Sequence, residues 1–183
     1  MTSAVATAAP IALAPTRRRF TVAEYYAMAG AGILFENDRT ELLRGDVIAM
    51  PPIGDWHAAS VKLFANTMPP ALQGRAMIAV RDPVRLDENS EPQPDVMLLL
   101  WRDDFYGGGH PGPADVLLLI EVSDTTVDYD RNEKLPLYAQ AGIPEAWIVK
   151  PTLIHPVTST RPCATLVLGK PLLPRHSRTS FWK

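Results

Sequence analysis

Two short runs of almost unbroken apolar residues, each with one carboxylate near an end, constrain this chain most. They are Pro94-Asp95-Val96-Met97-Leu98-Leu99-Leu100 and Val116-Leu117-Leu118-Leu119-Ile120-Glu121-Val122. Strands that are apolar at successive rather than alternate positions are buried on both faces, so both runs belong inside a covered sheet. A third run, Ala146-Trp147-Ile148-Val149, follows a helical face of Leu135, Tyr138 and Ala139 over 129–141, closed by Gly142. Strand, helix, strand in that order implies neighbouring parallel strands and an α/β core. Pro136 either sits in the first helical turn, where its missing N–H costs nothing, or kinks the helix.

Earlier segments supply the rest. Thr21-Val22-Ala23-Glu24 has the form of a capping box and predicts a short helix to about Gly30 or Gly32. Residues 40–43, a turn at Arg44-Gly45-Asp46, and residues 47–50 predict a hairpin, with Gly45 able to take a positive φ. A helix is expected from Asp55 or Trp56 to Thr67, with Ala58, Val61, Leu63, Phe64 and Ala65 on its core side and Pro69-Pro70 following it. Residues 76–86 read as one or two short strands broken at Asp82-Pro83, and Gly107-Gly108-Gly109 lies in an expected mobile loop over 102–114.

The 183 residues, 46% hydrophobic and 21% charged, suit one globular domain. Residues 1–19, rich in Ala and Pro with Arg17, Arg18 and Arg19 behind the apolar stretch, read as a disordered leader, because a secretory signal carries its positive charge ahead of that stretch. No run approaches the ~20 apolar residues of a bilayer-spanning helix, so no membrane partner is expected. A single cysteine, Cys163, cannot form an internal disulfide, which suits a reducing, cytoplasmic setting. The net charge of −2 is unevenly spread: between residues 20 and 150, ten bases stand against twenty acids, leaving −10. That argues against broad, avid binding to nucleic acid and suits a site holding a divalent cation.

An acid at the end of a buried apolar strand is costly unless it is paired or binds metal. Asp95 and Glu121 are separated by a loop and a return strand, so both carboxylates could converge on one Mg²⁺. The plainer alternative makes Asp95 a strand cap and Glu121 the partner of a nearby Arg. Asp124, Asp128 and Asp130 read as a loop and helix-start set, since no Gly sits among them as a calcium loop requires. His57, at a helix start, is a weak catalytic candidate; Tyr138 reads as helix-to-sheet packing and Trp147 as core. Either ring would need an exposed face to stack on a base.

Several segments together resemble a known family. Pro94-Asp95-Val96, Leu119-Ile120-Glu121-Val122-Ser123, Asp128-Tyr129-Asp130-Arg131-Asn132-Glu133-Lys134 and Tyr138 to Val149 are similar, in this order, to the bacterial Uma family of putative restriction endonucleases. The hairpin Glu41-Leu42-Leu43-Arg44-Gly45-Asp46-Val47-Ile48 and the stretch from Pro51-Pro52 to His57 match as well, so the likeness covers about residues 20–150. The family belongs to the PD-(D/E)xK nuclease superfamily. The resemblance therefore implies a restriction-endonuclease-like core, a mixed central sheet flanked by helices, and hydrolysis of DNA phosphodiesters with Mg²⁺, or with Mn²⁺ in its place. It implies that Asp95 and Glu121 hold the metal together with the backbone carbonyl of Val122, and that Glu41 adds a further acid. The position two after Glu121 is Ser123 rather than the Lys of the superfamily motif, and Lys134 matches the lysine that replaces it in the Uma family. Lys134 would stabilise the developing charge and orient or deprotonate the water.

Residues 151–183 break the pattern, with five prolines, five bases and no acid. An out-of-frame or replaced tail and a phosphate-binding basic arm are the two readings. For the whole chain, an Mg²⁺-dependent DNA endonuclease stands beside a non-catalytic DNA-binding or assembly module keeping the same fold, and beside a metal-free hydrolase using two carboxylates. Cleavage of both strands of a duplex calls for two active sites, which makes a symmetric homodimer the expected assembly.

Overall fold

In a computed structural model of the chain, the described residues are 16–35, 37–72 and 74–151, with the backbone of a strand at 167–171. Helix α1 (Val22–Gly30) begins at Thr21, whose hydroxyl accepts from the Glu24 amide at 3.2 Å while Glu24 accepts from the Thr21 amide at 3.0 Å. The capping box thus satisfies two free amides, as its spacing predicts. Strands β1 (Thr40–Leu43) and β2 (Asp46–Ala49) form the expected hairpin, with Leu43 opposite Asp46. Both turn residues have positive φ, Arg44 at 49° and Gly45 at 79°, the requirement of a tight turn that follows the strand twist. Gly45 is needed for space too, since a Cβ there would lie 2.6 Å from that of Arg19.

The main sheet runs β3 (Ala76–Val80), β4 (Val96–Leu100), β5 (Val116–Val122), β6 (Glu145–Val149) and β7 (Val167–Pro171). All neighbours are antiparallel except β5 and β6, which are parallel, as the intervening helical segment requires. The fold is mixed α/β, a central sheet with helices on its faces. Helix α2 (Asp55–Leu72) covers one face, packing Val61, Phe64, Met68 and Leu72 against Val96, Leu98, Leu118, Ile120 and Val122. Met97, Leu99 and Leu119 point the other way, toward Tyr138, Ile143 and Ala146. Alternate residues of β4 and β5 thus serve opposite cores, which explains their continuous apolarity.

Three local expectations change. Helix α2 continues through Pro69 and Pro70 to Leu72 instead of stopping at Thr67; a proline's φ is helical, and Leu72, 6% exposed, holds the last turn on the core. Leu63, counted with the core side, is 40% exposed, because the buried stripe at 61, 64, 68 and 72 leaves it outside. The single helix over 129–141 is instead α3 (Val127–Tyr129), a π turn (Asp130–Lys134) and α4 (Leu135–Gln140). Pro136 falls in the first turn of α4, where its missing donor matters least.

The ends of the chain fall largely outside the described residues, including 1–15 of the leader and 152–166 and 172–183 of the tail. Arg17 and Arg19 pair with Asp46, Arg18 pairs with Glu24, and the Phe20 amide donates to the Gly45 carbonyl at 2.9 Å. Contact with the hairpin therefore begins inside the segment read as leader. At the other end, residues 167–171 of the atypical tail pair antiparallel with β6. No helix among the described residues is long and apolar enough to cross a membrane.

Candidate functional site

Strand register brings the key acids together. Val96 lies opposite Ile120 and Val80 opposite Val96, so continuing both ladders by one residue places Arg81, Asp95 and Glu121 in a row across β3, β4 and β5. Asp95 and Glu121 are only 6% and 3% exposed. The π turn sets Lys134, 3% exposed, over that row; its Nζ lies 3.2 Å from Glu121 Oε1 and 3.0 Å from Glu41 Oε2. Glu41 arrives from β1 and also accepts from the Gln93 amide at 3.1 Å. The four side chains expected at a site, Glu41, Asp95, Glu121 and Lys134, therefore line one cleft, though they come from four separate segments of the chain.

Asp95 is held on both oxygens. Its Oδ2 accepts from the Val122 amide at 2.9 Å, and its Oδ1 lies 2.8 Å from His57 Nε2 and 3.8 Å from Arg81 Nε. Val122, expected to offer its carbonyl to a metal, thus also orients Asp95 through its N–H. His57, weak as a sequence candidate, lines the cleft from the first turn of α2. Tyr138, expected only to pack, is fully buried and donates to Glu121 Oε1 at 2.5 Å. Asp130, read as part of a loop set, is 5% exposed and accepts from Ser123 Oγ at 2.5 Å and Thr126 Oγ1 at 2.8 Å. Asp130, Lys134 and Tyr138 are spaced by four, a regularity visible in the sequence that marks one helical side. Arg81 carried no such mark. It takes φ 58°, in the sparsely populated left-handed region, and its Nε is buried without a hydrogen-bond partner.

Charge is unbalanced here. Four buried carboxylates, Glu41, Asp95, Glu121 and Asp130, surround one buried ammonium, with Arg81 at the margin. Burial pushes Glu121 up to about 8; Lys134 opposes this, while the nearby Asp95, Asp130 and Glu41 reinforce it. Burial alone would lower the Lys134 ammonium, but Glu121 and Glu41 overcome it and hold it above its ordinary value. The pair gains unequally because Lys134 has two carboxylates whereas those two share one cation.

A divalent cation fits this set. Among the described residues no three His, Cys, Asp or Glu side chains form a cage by themselves. Mg²⁺ does not need one: it commonly takes one or two carboxylates and fills its octahedron with water and substrate oxygens. Asp95 and Glu121 could supply those carboxylates, and the excess of buried carboxylates over cations would supply the attraction. They stand on the floor of a cleft of about 440 Å³ whose lining also includes Glu41, Lys134, His57 and Ile53.

A mixed sheet with acids at the ends of two central strands, answered by a lysine from the following helical segment, defines a restriction-endonuclease-like protein. The chain belongs to the Uma2 family, described as "putative restriction endonuclease", whose model matches residues 22–156. Among solved structures it is similar to one described as a "putative nuclease belonging to DUF820" from Anabaena variabilis, at 16% identity and a TM-score of 0.54, over 72% of this chain and 74% of that one. At that identity the likeness concerns the fold. No curated protein matches the chain.

Proposed function

We propose that this chain is an Mg²⁺-dependent endonuclease that hydrolyses DNA phosphodiester bonds, with Mn²⁺ as a substitute metal. The observation that carries this reading is the convergence of Asp95, Glu121, Glu41 and Lys134 in one cleft, the two strand-end acids facing across β4 and β5. Asp95 and Glu121 would hold the metal, with the Val122 carbonyl as a further ligand. When bound, such an ion polarises the phosphoryl oxygen and lowers the pKa of its water.

The protein's own groups do the rest. Lys134, held protonated between Glu41 and Glu121, is suited to stabilising negative charge on the phosphate and unsuited to taking a proton from water near neutrality. The sequence left both roles open, and the geometry favours the first. His57 and the Val122 amide fix the rotamer of Asp95, and Tyr138 fixes that of Glu121, limiting the reorganisation needed during the reaction.

The test is incubation of supercoiled and linear DNA with the wild type and with Asp95→Ala and Lys134→Ala, in Mg²⁺, in Mn²⁺ and in chelator. The expected result is metal-dependent nicking or cutting that both substitutions abolish. A folded wild type that binds DNA and cuts none under any condition would transfer the reading to a non-catalytic binding module.

A further inference from the structure

The site's acids lie deep in the cleft, and part of its lining is apolar. Glu41, Glu121 and Lys134 are 2–3% exposed at the cleft floor. One wall is the apolar stretch Met50, Pro51, Pro52 and Ile53 after the hairpin, with Ile53 36% exposed. The segment leading into the π turn contributes Tyr129 to the same lining, also 36% exposed. A phosphate in an intact duplex rides on a stiff rod, whose bending is costly over short lengths. A flexible single strand can bend to bring a phosphate to buried groups, and it carries bases that need an apolar or aromatic surface to replace lost stacking.

Resting on the nuclease reading above, we propose that the cleft takes an unpaired DNA strand, with the phosphate at the carboxylates and the adjoining base against Tyr129 and the Pro51–Ile53 wall. Tyr129 has the half-open ring that the buried Tyr138 lacks. It lies five residues before Lys134, so the base platform and the phosphate-stabilising cation are set by one helical segment. Stacking is insensitive to base identity, which predicts weak sequence preference. It also suits the acidic balance of residues 20–150, because apolar contact draws less on a basic surface than duplex binding does.

The experiment compares one end-labelled oligonucleotide, alone and annealed to its complement, in Mg²⁺ and in Mn²⁺. Cleavage of the single strand is expected to exceed that of the duplex by about tenfold or more in kcat/KM, a span that base stacking can supply. Tyr129→Ala should remove most of that preference through KM, while Tyr129→Phe, which keeps the ring, should retain it. Equal or faster cutting of the duplex, or an unchanged preference in Tyr129→Ala, would overturn the proposal and leave the nuclease reading standing. If neither form is cut, fluorescence anisotropy with the same oligonucleotides decides. Tighter binding of the single strand that Tyr129→Ala weakens would support the cleft assignment while the nuclease reading falls, and binding without that difference, or none, would overturn it.

Discussion

The middle and the end of the β4–β5 pair are buried alike and do opposite things. In the middle, Met97, Leu98, Leu99, Leu118 and Leu119 are at most 4% exposed and pack into the apolar clusters on one face or the other. One residue beyond the ladder at one end, Asp95 and Glu121 are buried almost as deeply. Burial stabilises the first region at roughly 25 cal/mol per Å² of apolar area. In the second it opposes folding, and the opposition is met only in part by Lys134, Tyr138, His57 and the Val122 amide. A packed sheet could carry leucines there at lower cost. Retaining charge where it is least comfortable is what a site does and what a core does not.

Breaking the charged end should have the largest effect. Lys134→Ala leaves Glu41 and Glu121 without their shared cation, and loss of one partner from a buried pair typically costs about 3–5 kcal/mol. A urea midpoint in chelator at about pH 9, where Glu121 is ionised, measures this, and added Mg²⁺ should restore part of it if the cation binds the same carboxylates. In the apolar middle, Leu119→Ala should cost about 2–5 kcal/mol through lost burial and a cavity. That loss should be the same with and without Mg²⁺, which sets it apart from Lys134→Ala.

The third prediction concerns pH. Glu121 titrates near 8 when folded against an ordinary 4.5, so between those values the folded chain binds more protons than the unfolded one. Stability in chelator should therefore be highest below about 4.5 on this group's account, fall as pH rises toward 8, and level off above it. Lys134, held above its ordinary value, keeps its proton throughout that window. Denaturation midpoints at several pH values would show the slope, and Glu121→Gln should flatten it. A slope unchanged in that variant would mean that Glu121 does not produce it.

Smaller effects sharpen the contrast. Tyr138→Phe removes one donor from a buried carboxylate while keeping the ring, and should cost about 1–2 kcal/mol with a smaller loss of activity than Lys134→Ala. Arg17→Ala, whose side chain is 72% exposed 3.4 Å from Asp46, should change the midpoint by no more than about 0.5 kcal/mol.

What the sequence determined by itself follows from short-range chemistry. The capping box at Thr21, the hairpin turning at Arg44-Gly45, and the doubly buried β4 and β5 all depend on neighbours a few residues apart. So does the parallel placement of β6, through the helical crossover. Asp95 and Glu121 were visible because a carboxylate in an apolar run is conspicuous; Glu41 and Lys134 needed the family resemblance, since an isolated charge on a hairpin or helix is ordinarily solvated. The π turn, the passage of α2 through two prolines, the contact of His57 with Asp95 and the strained Arg81 were decided by tertiary structure. Each depends on groups brought together from distant positions, where burial and hydrogen-bond geometry outweigh the weak local preferences a sequence displays.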